Sequence, residues 1–247
     1  MTSVYVFAGP TISPRDALVE LNAVYLPPAS EGDVYRAALK QPKAIAIIDG
    51  YFQSIPAVRH KEILWAMSRG IHVFGSASIG ALRAAELAAF GMEGVGLVFK
   101  CYRDGILEDD DEVAVAHGTA ETGFVAASEA MVNIRYTLRK AERVGVISRH
   151  FRQELETIGK ELFYPDRNYS LLLHHASDSA RTKGELARLR AWLPKGRVNQ
   201  KRDDAITMLR LICRRSLKGF NRKKVSYSFE HTSMWEDVRR HNGEDPT

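Results

Sequence analysis

The stretch HVFGSASIGALRAAEL, residues 72–87, places two hydroxyls, Ser76 and Ser78, where a strand-like apolar run passes without a linker into a helical pattern. Small residues at 76, 77, 80 and 81 permit a tight strand-to-helix turn. SASIG differs from the G-x-S-x-G nucleophile elbow at its first position. Ser78 then stands at a helix N-terminus, where the backbone N–H groups of Ile79 and Gly80 are placed to receive charge developing on a reacting oxygen. The same serine also reads as a plain helix cap. A serine nucleophile needs a base, and two candidates, His60 and Lys61, follow Asp49-Gly50 in the stretch VRHKEIL. A lysine partly withdrawn from water can lose its proton and serve as that base. Adjacent helical residues point about 100° apart, so only one of the two can face Ser78; the residues alone leave the choice open.

Other polar groups stand near by. Asp49 ends a buried apolar run and opens onto the same edge as Ser76-Ala77-Ser78 if both strands are parallel. Arg83 and Glu86, at i and i+3, can pair on the helix after Ser78 and orient the cleft or cover its flank. LEDDDEV, residues 107–113, groups carboxylates that could take Mg²⁺ but better suit a helix N-terminus or a solvent-facing turn. In VNQKRDDA, residues 198–205, Asn199 reads as a cap, and Gln200, Lys201 and Asp204 as contacts to a partner.

The elements that must position these groups alternate in the first half. VYVFAG (4–9) and AVYLPP (23–28) flank a short helix that starts at Ser13-Pro14, a cap followed by a proline at the first helical position. AIAIIDG (44–50) reads as a fully buried strand, PAVRHKEILWAMSRG as a helix closed by Gly70, and IHVFGSAS with IGALRAAELAAFG as the next strand and helix. GVGLVFKCY (94–102) reads as a further strand. From about residue 126 the alternation gives way to helical patterns within 126–145, 148–163, 167–180, 183–193 and 199–219. The expected class is α/β, a Rossmann-like, mostly parallel sheet with helices over residues 1–125. A mainly helical, basic region (126–218) follows, and then a tail (219–247) that docks through Phe229 and Trp235.

Composition narrows the function. Apolar residues at 45% and charged residues at 26% are those of a globular protein. No apolar run approaches the roughly 18 residues of a membrane span. The start, MTSVYVFAGPTISP, lacks the basic and long apolar parts of a secretory signal, so a cytoplasmic location is expected. Cys101 and Cys213 form no metal-ligand pattern and no disulfide framework, and no metal or cofactor is expected. The net charge of +5 divides into −4 over residues 1–120 and +9 over 121–247. A basic half suits an acidic partner or nucleic acid and equally a set of solvated helices. No RNA or DNA motif accompanies the charge, so a nucleic-acid partner is not expected.

Several dispersed motifs, IIDGYF, PAVRHKEIL, GIHVFGSASIGALRAAEL, GMEGVG and DDDEVAVAHG, follow one another in an order and spacing that resembles the TfuA-like family over about residues 44–120. The resemblance extends more weakly to VNQKRDDA. It implies an accessory protein of peptide backbone thioamidation that works with a YcaO enzyme and its precursor or target peptide. The implied activity is hydrolysis of the C-terminal thiocarboxylate of a ThiS-like, ubiquitin-fold sulfur carrier, with release of sulfide. The family's Ser-Lys pair falls by motif on Ser78 and Lys61. Ser76 stands where the family commonly has Ala, and Ile79 where it has Met. The expectation of a different class is a non-catalytic Rossmann-like module whose Ser-Ala-Ser turn cradles an anion while the basic helices dock a protein.

Overall fold

The computed structural model describes residues 4–51, 55–176, 183–233 and 235–236. Two compact units divide the chain, Met1–Ile106 with Asp204–Thr247 and Leu107–Asp203. In the first unit, strands β1 (Val4–Phe7), β2 (Val24–Leu26), β3 (Ala44–Ile47), β4 (His72–Ser76) and β5 (Glu93–Val95) form one sheet in the order β2-β1-β3-β4-β5. Every neighbouring pair is parallel, which is the Rossmann-like arrangement expected. β3 is buried along its whole length, as its unbroken AIAI requires of a strand covered on both faces. The strand order reverses between β1 and β3, so the loops leaving their carboxyl ends diverge and open a crevice there.

Helices α1 (Pro14–Glu20), α2 (Asp33–Leu39), α3 (His60–Ser68), α4 (Ile79–Leu87) and α5 (Leu97–Arg103) each follow one strand. α1 starts as its residues dictate, with the Ser13 hydroxyl accepting the Asp16 amide and Pro14 at the first position. α2 carries no side-chain cap and begins after Gly32, so nothing in the chain announces it. The expected strand over 94–102 is instead a short strand and a helix: β5 stops at Val95, and Gly96 has φ +103° and ψ 177°, a conformation reserved to glycine. Val98, Phe99 and Tyr102 then bury one face of α5.

The second unit holds α6 (Met131–Arg143), α7 (Arg149–Glu161), α8 (Tyr169–His175) and α9 (Lys183–Gly196). They pack around Ile134, Leu138, Phe151, Leu155, Leu172 and Leu189. Residues 177–180 of the expected 167–180 stretch, and the last eleven residues of the tail, lie outside the described residues. α10 (Gln200–Lys218) begins in this unit, and from Asp204 onward belongs to the first. Its Ala205, Met208, Leu209 and Ile212, at helical spacing, join Val4, Val6, Ala46 and Phe74 in the core of the sheet. Trp235 is buried against Tyr35, Trp65 and Phe229, with ring centroids 5.2, 5.6 and 5.1 Å away. The tail thus docks through the two aromatic residues its composition singled out. No helix among the described residues is long and apolar enough to cross a membrane.

Candidate active site

The two serines have different fates. Ser76, the last residue of β4, is fully buried and donates its hydroxyl to the Val95 carbonyl at 2.7 Å. It ties β4 to β5. Ala77 has φ +67°, and across it the Ser78 amide donates to the Ser76 carbonyl at 2.7 Å. This is a γ-turn of the strained, positive-φ kind, costing a non-glycine residue about 1–3 kcal/mol. Ser78 follows with φ −120° and ψ −131° at the N-terminus of α4, and its side chain makes no capping hydrogen bond. The ordinary reason for a serine before a helix is therefore missing here.

The helix end is held unusually close to the sheet. A β-carbon on Gly80 would lie 1.8 Å from the Ile47 carbonyl oxygen, and the Gly80 amide donates to the Ile48 carbonyl at 3.3 Å. Of the two amides expected to face an oxyanion, Gly80 is thus already engaged. The correction follows from this close seating of α4 on β3. The Ile79 amide has no hydrogen-bond partner among the described residues.

Asp49, at the carboxyl end of β3, is buried and turned toward the loop after β1. Its carboxylate accepts the Gly9 amide (2.9 Å), the Thr11 amide (3.0 Å) and the Thr11 hydroxyl (2.6 Å). It shapes the crevice wall at the strand-order reversal. Gly9 and Thr11 were missed in the sequence, where nothing links them to a carboxylate some forty residues away.

His60 and Lys61 open α3 and diverge as helical neighbours must. The Nε2 atom of His60 lies 2.7 Å from Glu86 Oε2, and Arg83 donates to the same Glu86 oxygen at 2.7 Å and to the Val58 carbonyl at 3.1 Å. Partial burial works against the Glu86 charge, but the hydrogen bonds from His60 and Arg83 outweigh it and hold its carboxyl below the usual range. Glu86 is eight residues past Ser78, roughly 12 Å along α4, so His60 is engaged on the helix flank, away from the turn. The Lys61 ammonium stands 4.8 Å from the centroid of the Phe229 ring. Next to them, Glu62 is fully buried. It accepts backbone amides from Tyr35 and Arg59, each at 3.2 Å. Burial raises its carboxyl above the usual range despite those donors.

The acidic stretch divides: Glu108, Asp109 and Asp110 are exposed where a short 3-10 turn begins, as the helix N-terminus or solvent-facing turn expected, whereas Asp111 and Glu112 are held by cations. Among the described residues no group of acidic, His or Cys side chains could hold a metal ion. Asp111 pairs with Lys160 and with fully buried Arg167 (2.8 Å), and Glu112 takes both ends of the Arg135 guanidinium at 2.8 and 2.9 Å. In VNQKRDDA, Asn199 caps α10 by accepting the Arg202 amide at 3.0 Å. Gln200, Lys201 and Asp204 are buried. The Lys201 ammonium donates to the Val113 carbonyl at 2.7 Å, and Asp204 accepts the Val98 amide at 2.7 Å. Their expected role as partner contacts is corrected on that ground: they hold the chain's own fold and are withdrawn from the surface.

A parallel α/β sheet whose fourth strand ends in a non-capping serine on a strained turn defines a Rossmann-like protein with a candidate site at the carboxyl edge. Residues 49–168 match the model of the TfuA-like protein family, so the chain carries a TfuA-like region running from Asp49 through Lys61 and Ser78 into α7 and its following turn. A match to that family supports an accessory role in thioamidation. None of the curated proteins compared with the chain matches it.

Proposed function

We propose that the protein hydrolyses the C-terminal thiocarboxylate of a ThiS-like, ubiquitin-fold sulfur carrier and delivers sulfide to a YcaO enzyme acting on a peptide backbone. The observation that carries this reading is Ser78, a serine at the first turn of α4 whose side chain does not cap the helix it precedes. The chain spends backbone strain at Ala77 to place it there. In the reaction, Ser78 Oγ attacks the thiocarboxylate carbon and its proton passes to Lys61. The C–S bond breaks as Lys61 returns that proton to the leaving sulfur, so hydrosulfide leaves, an ester on Ser78 remains and Lys61 is neutral again. Water, deprotonated by the same lysine, attacks that ester and releases the carrier with an ordinary carboxylate. The Ile79 amide and the positive end of α4 stabilise the oxyanion in both steps.

Lys61 is the assignment that the family resemblance favours. For it to serve, its side chain must leave the Phe229 ring, since an aromatic face favours the charged form of a lysine. That contact also favours a second reading, in which the turn only binds the carrier's C-terminal anion and hands the carrier to its partner. Incubating the pure protein with a thiocarboxylated carrier separates the two. Release of sulfide with conversion of the carrier to the carboxylate supports hydrolysis, whereas saturable binding with the thiocarboxylate intact supports the binding module.

A further inference from the structure

At the amino edge of the same sheet, opposite Ser78, lies a cavity of about 730 Å³. Its walls come from the link between α2 and β3, the end of α3 and the segment around residues 222–231. Lys43, Arg69 and Arg222 all line it, and among the described residues none of the three has a carboxylate partner. Elsewhere in this unit Arg36, Arg59, Arg83 and Arg210 each hold an acidic side chain. His231 also lines it, and its Nδ1 lies 3.3 Å from Glu236 Oε1.

The cations are placed rather than loose. The backbone around Arg222 is pinned on both sides, by Asn221, whose carbonyl lies 2.9 Å from His72 Nε2, and by the Lys223 amide, which donates to the Gly70 carbonyl at 2.9 Å. Arg222 itself lies across Gly70, its Cγ 2.5 Å from where a β-carbon would stand. The Arg69 guanidinium rests 5.9 Å from the Trp65 ring. Leu39, Pro42, Ile71 and Trp65 supply an apolar wall beside the three charges.

We infer that this cavity binds a small organic molecule bearing two or more linked phosphates, of which a nucleoside diphosphate is the type. The volume falls in the range of small-ligand sites, roughly 300–1,000 Å³. Two guanidinium forks and one ammonium match the oxygens of a diphosphate, and the apolar wall suits a flat base. The inference is independent of the chemistry proposed at Ser78.

The test is calorimetric titration of the full chain at low salt with ADP, pyrophosphate, adenosine and an acidic peptide. The site predicts saturable ADP binding, weaker pyrophosphate binding, no adenosine binding, and a loss of affinity as salt screens the charges. Replacing Arg69 and Arg222 together by Ala lowers ADP affinity at least about tenfold, and Lys43→Ala lowers it as well. All three side chains are exposed, so the variants melt like the wild type, and Ser78→Ala binds ADP unchanged. Absence of saturation by ADP, equal affinity in the double variant, or an acidic peptide that binds and is not displaced by ADP overturns the inference. The last outcome makes the surface a protein contact.

Discussion

Gly80→Ala addresses how the site is built. The added methyl would stand 1.8 Å from the Ile47 oxygen and 2.6 Å from its carbonyl carbon. Both are backbone atoms of a buried strand, so α4 must retreat by more than about 1 Å to reach ordinary contact. Overpacking of this kind costs about 1–3 kcal/mol, and weakening of the Gly80–Ile48 hydrogen bond adds about 1 kcal/mol. At roughly 2–4 °C per kcal/mol, a loss of about 2–4 kcal/mol lowers the melting temperature by about 4–16 °C. Because Ser78 rides on the displaced end of α4, carrier hydrolysis should fall even at temperatures where the variant is folded. Ala77→Gly is the counterpart. It relieves about 1–2 kcal/mol of left-handed strain and adds about 0.5–1 kcal/mol of unfolded-chain entropy, so its stability lies between that of wild type and about 1.5 kcal/mol above it. Thermal melts followed by circular dichroism, paired with the hydrolysis assay, read both. A Gly80→Ala protein that melts and hydrolyses like the wild type would refute the close seating of α4 and the positioning argument with it.

Other expectations follow from the same geometry. Arg167→Ala, which leaves Asp111 and the Gly159 and Leu162 carbonyls short of a buried donor, should cost about 3–5 kcal/mol by urea denaturation, while added Mg²⁺ leaves the wild-type melt unchanged. Glu62 is raised from its model-compound value of 4.5, so above that pH the folded state holds more protons than the unfolded one. Its contribution to stability is then full below pH 4.5 and is lost as pH rises through the folded value. Urea midpoints of wild type and Glu62→Gln measured across that range should show the decline in the wild type alone. Trp235→Ala, which empties the cluster of Tyr35, Trp65 and Phe229, should cost about 3–5 kcal/mol in the same assay.

The parallel sheet was legible because buried strands in such sheets are short, unbroken apolar runs, as AIAI and HVFGS are. Seven-residue α2 was not, having neither a capping side chain nor enough turns to show a period. GVGLVFKCY misled for a related reason. An apolar run of that length suits strand and helix alike, and the deciding feature is the backbone of Gly96. The packing of α10 on the sheet was equally hidden, since the spacing of Ala205, Met208, Leu209 and Ile212 shows that a face is buried but not against what. At the site, the turn at Ser76–Ser78 could be read from small residues and chain order. The partners of Asp49, the commitment of Ser76 to Val95 and the resting place of Lys61 on Phe229 are contacts between residues distant in sequence, and each needed the fold to appear.

Whether Ser78 is the nucleophile toward a carrier thiocarboxylate is read by intact mass spectrometry of carrier and protein from one reaction. Wild-type protein is expected to convert the carrier, whose mass falls by the difference between sulfur and oxygen, with sulfide released in equal amount. Ser76→Ala should retain conversion, because Ser76 only ties β4 to β5, and Ser78→Ala should abolish it while melting within about 0.5 kcal/mol of wild type. Conversion by Ser78→Ala at the wild-type rate, or its loss in Ser76→Ala alone with the fold intact, would mean that Ser78 is not the nucleophile.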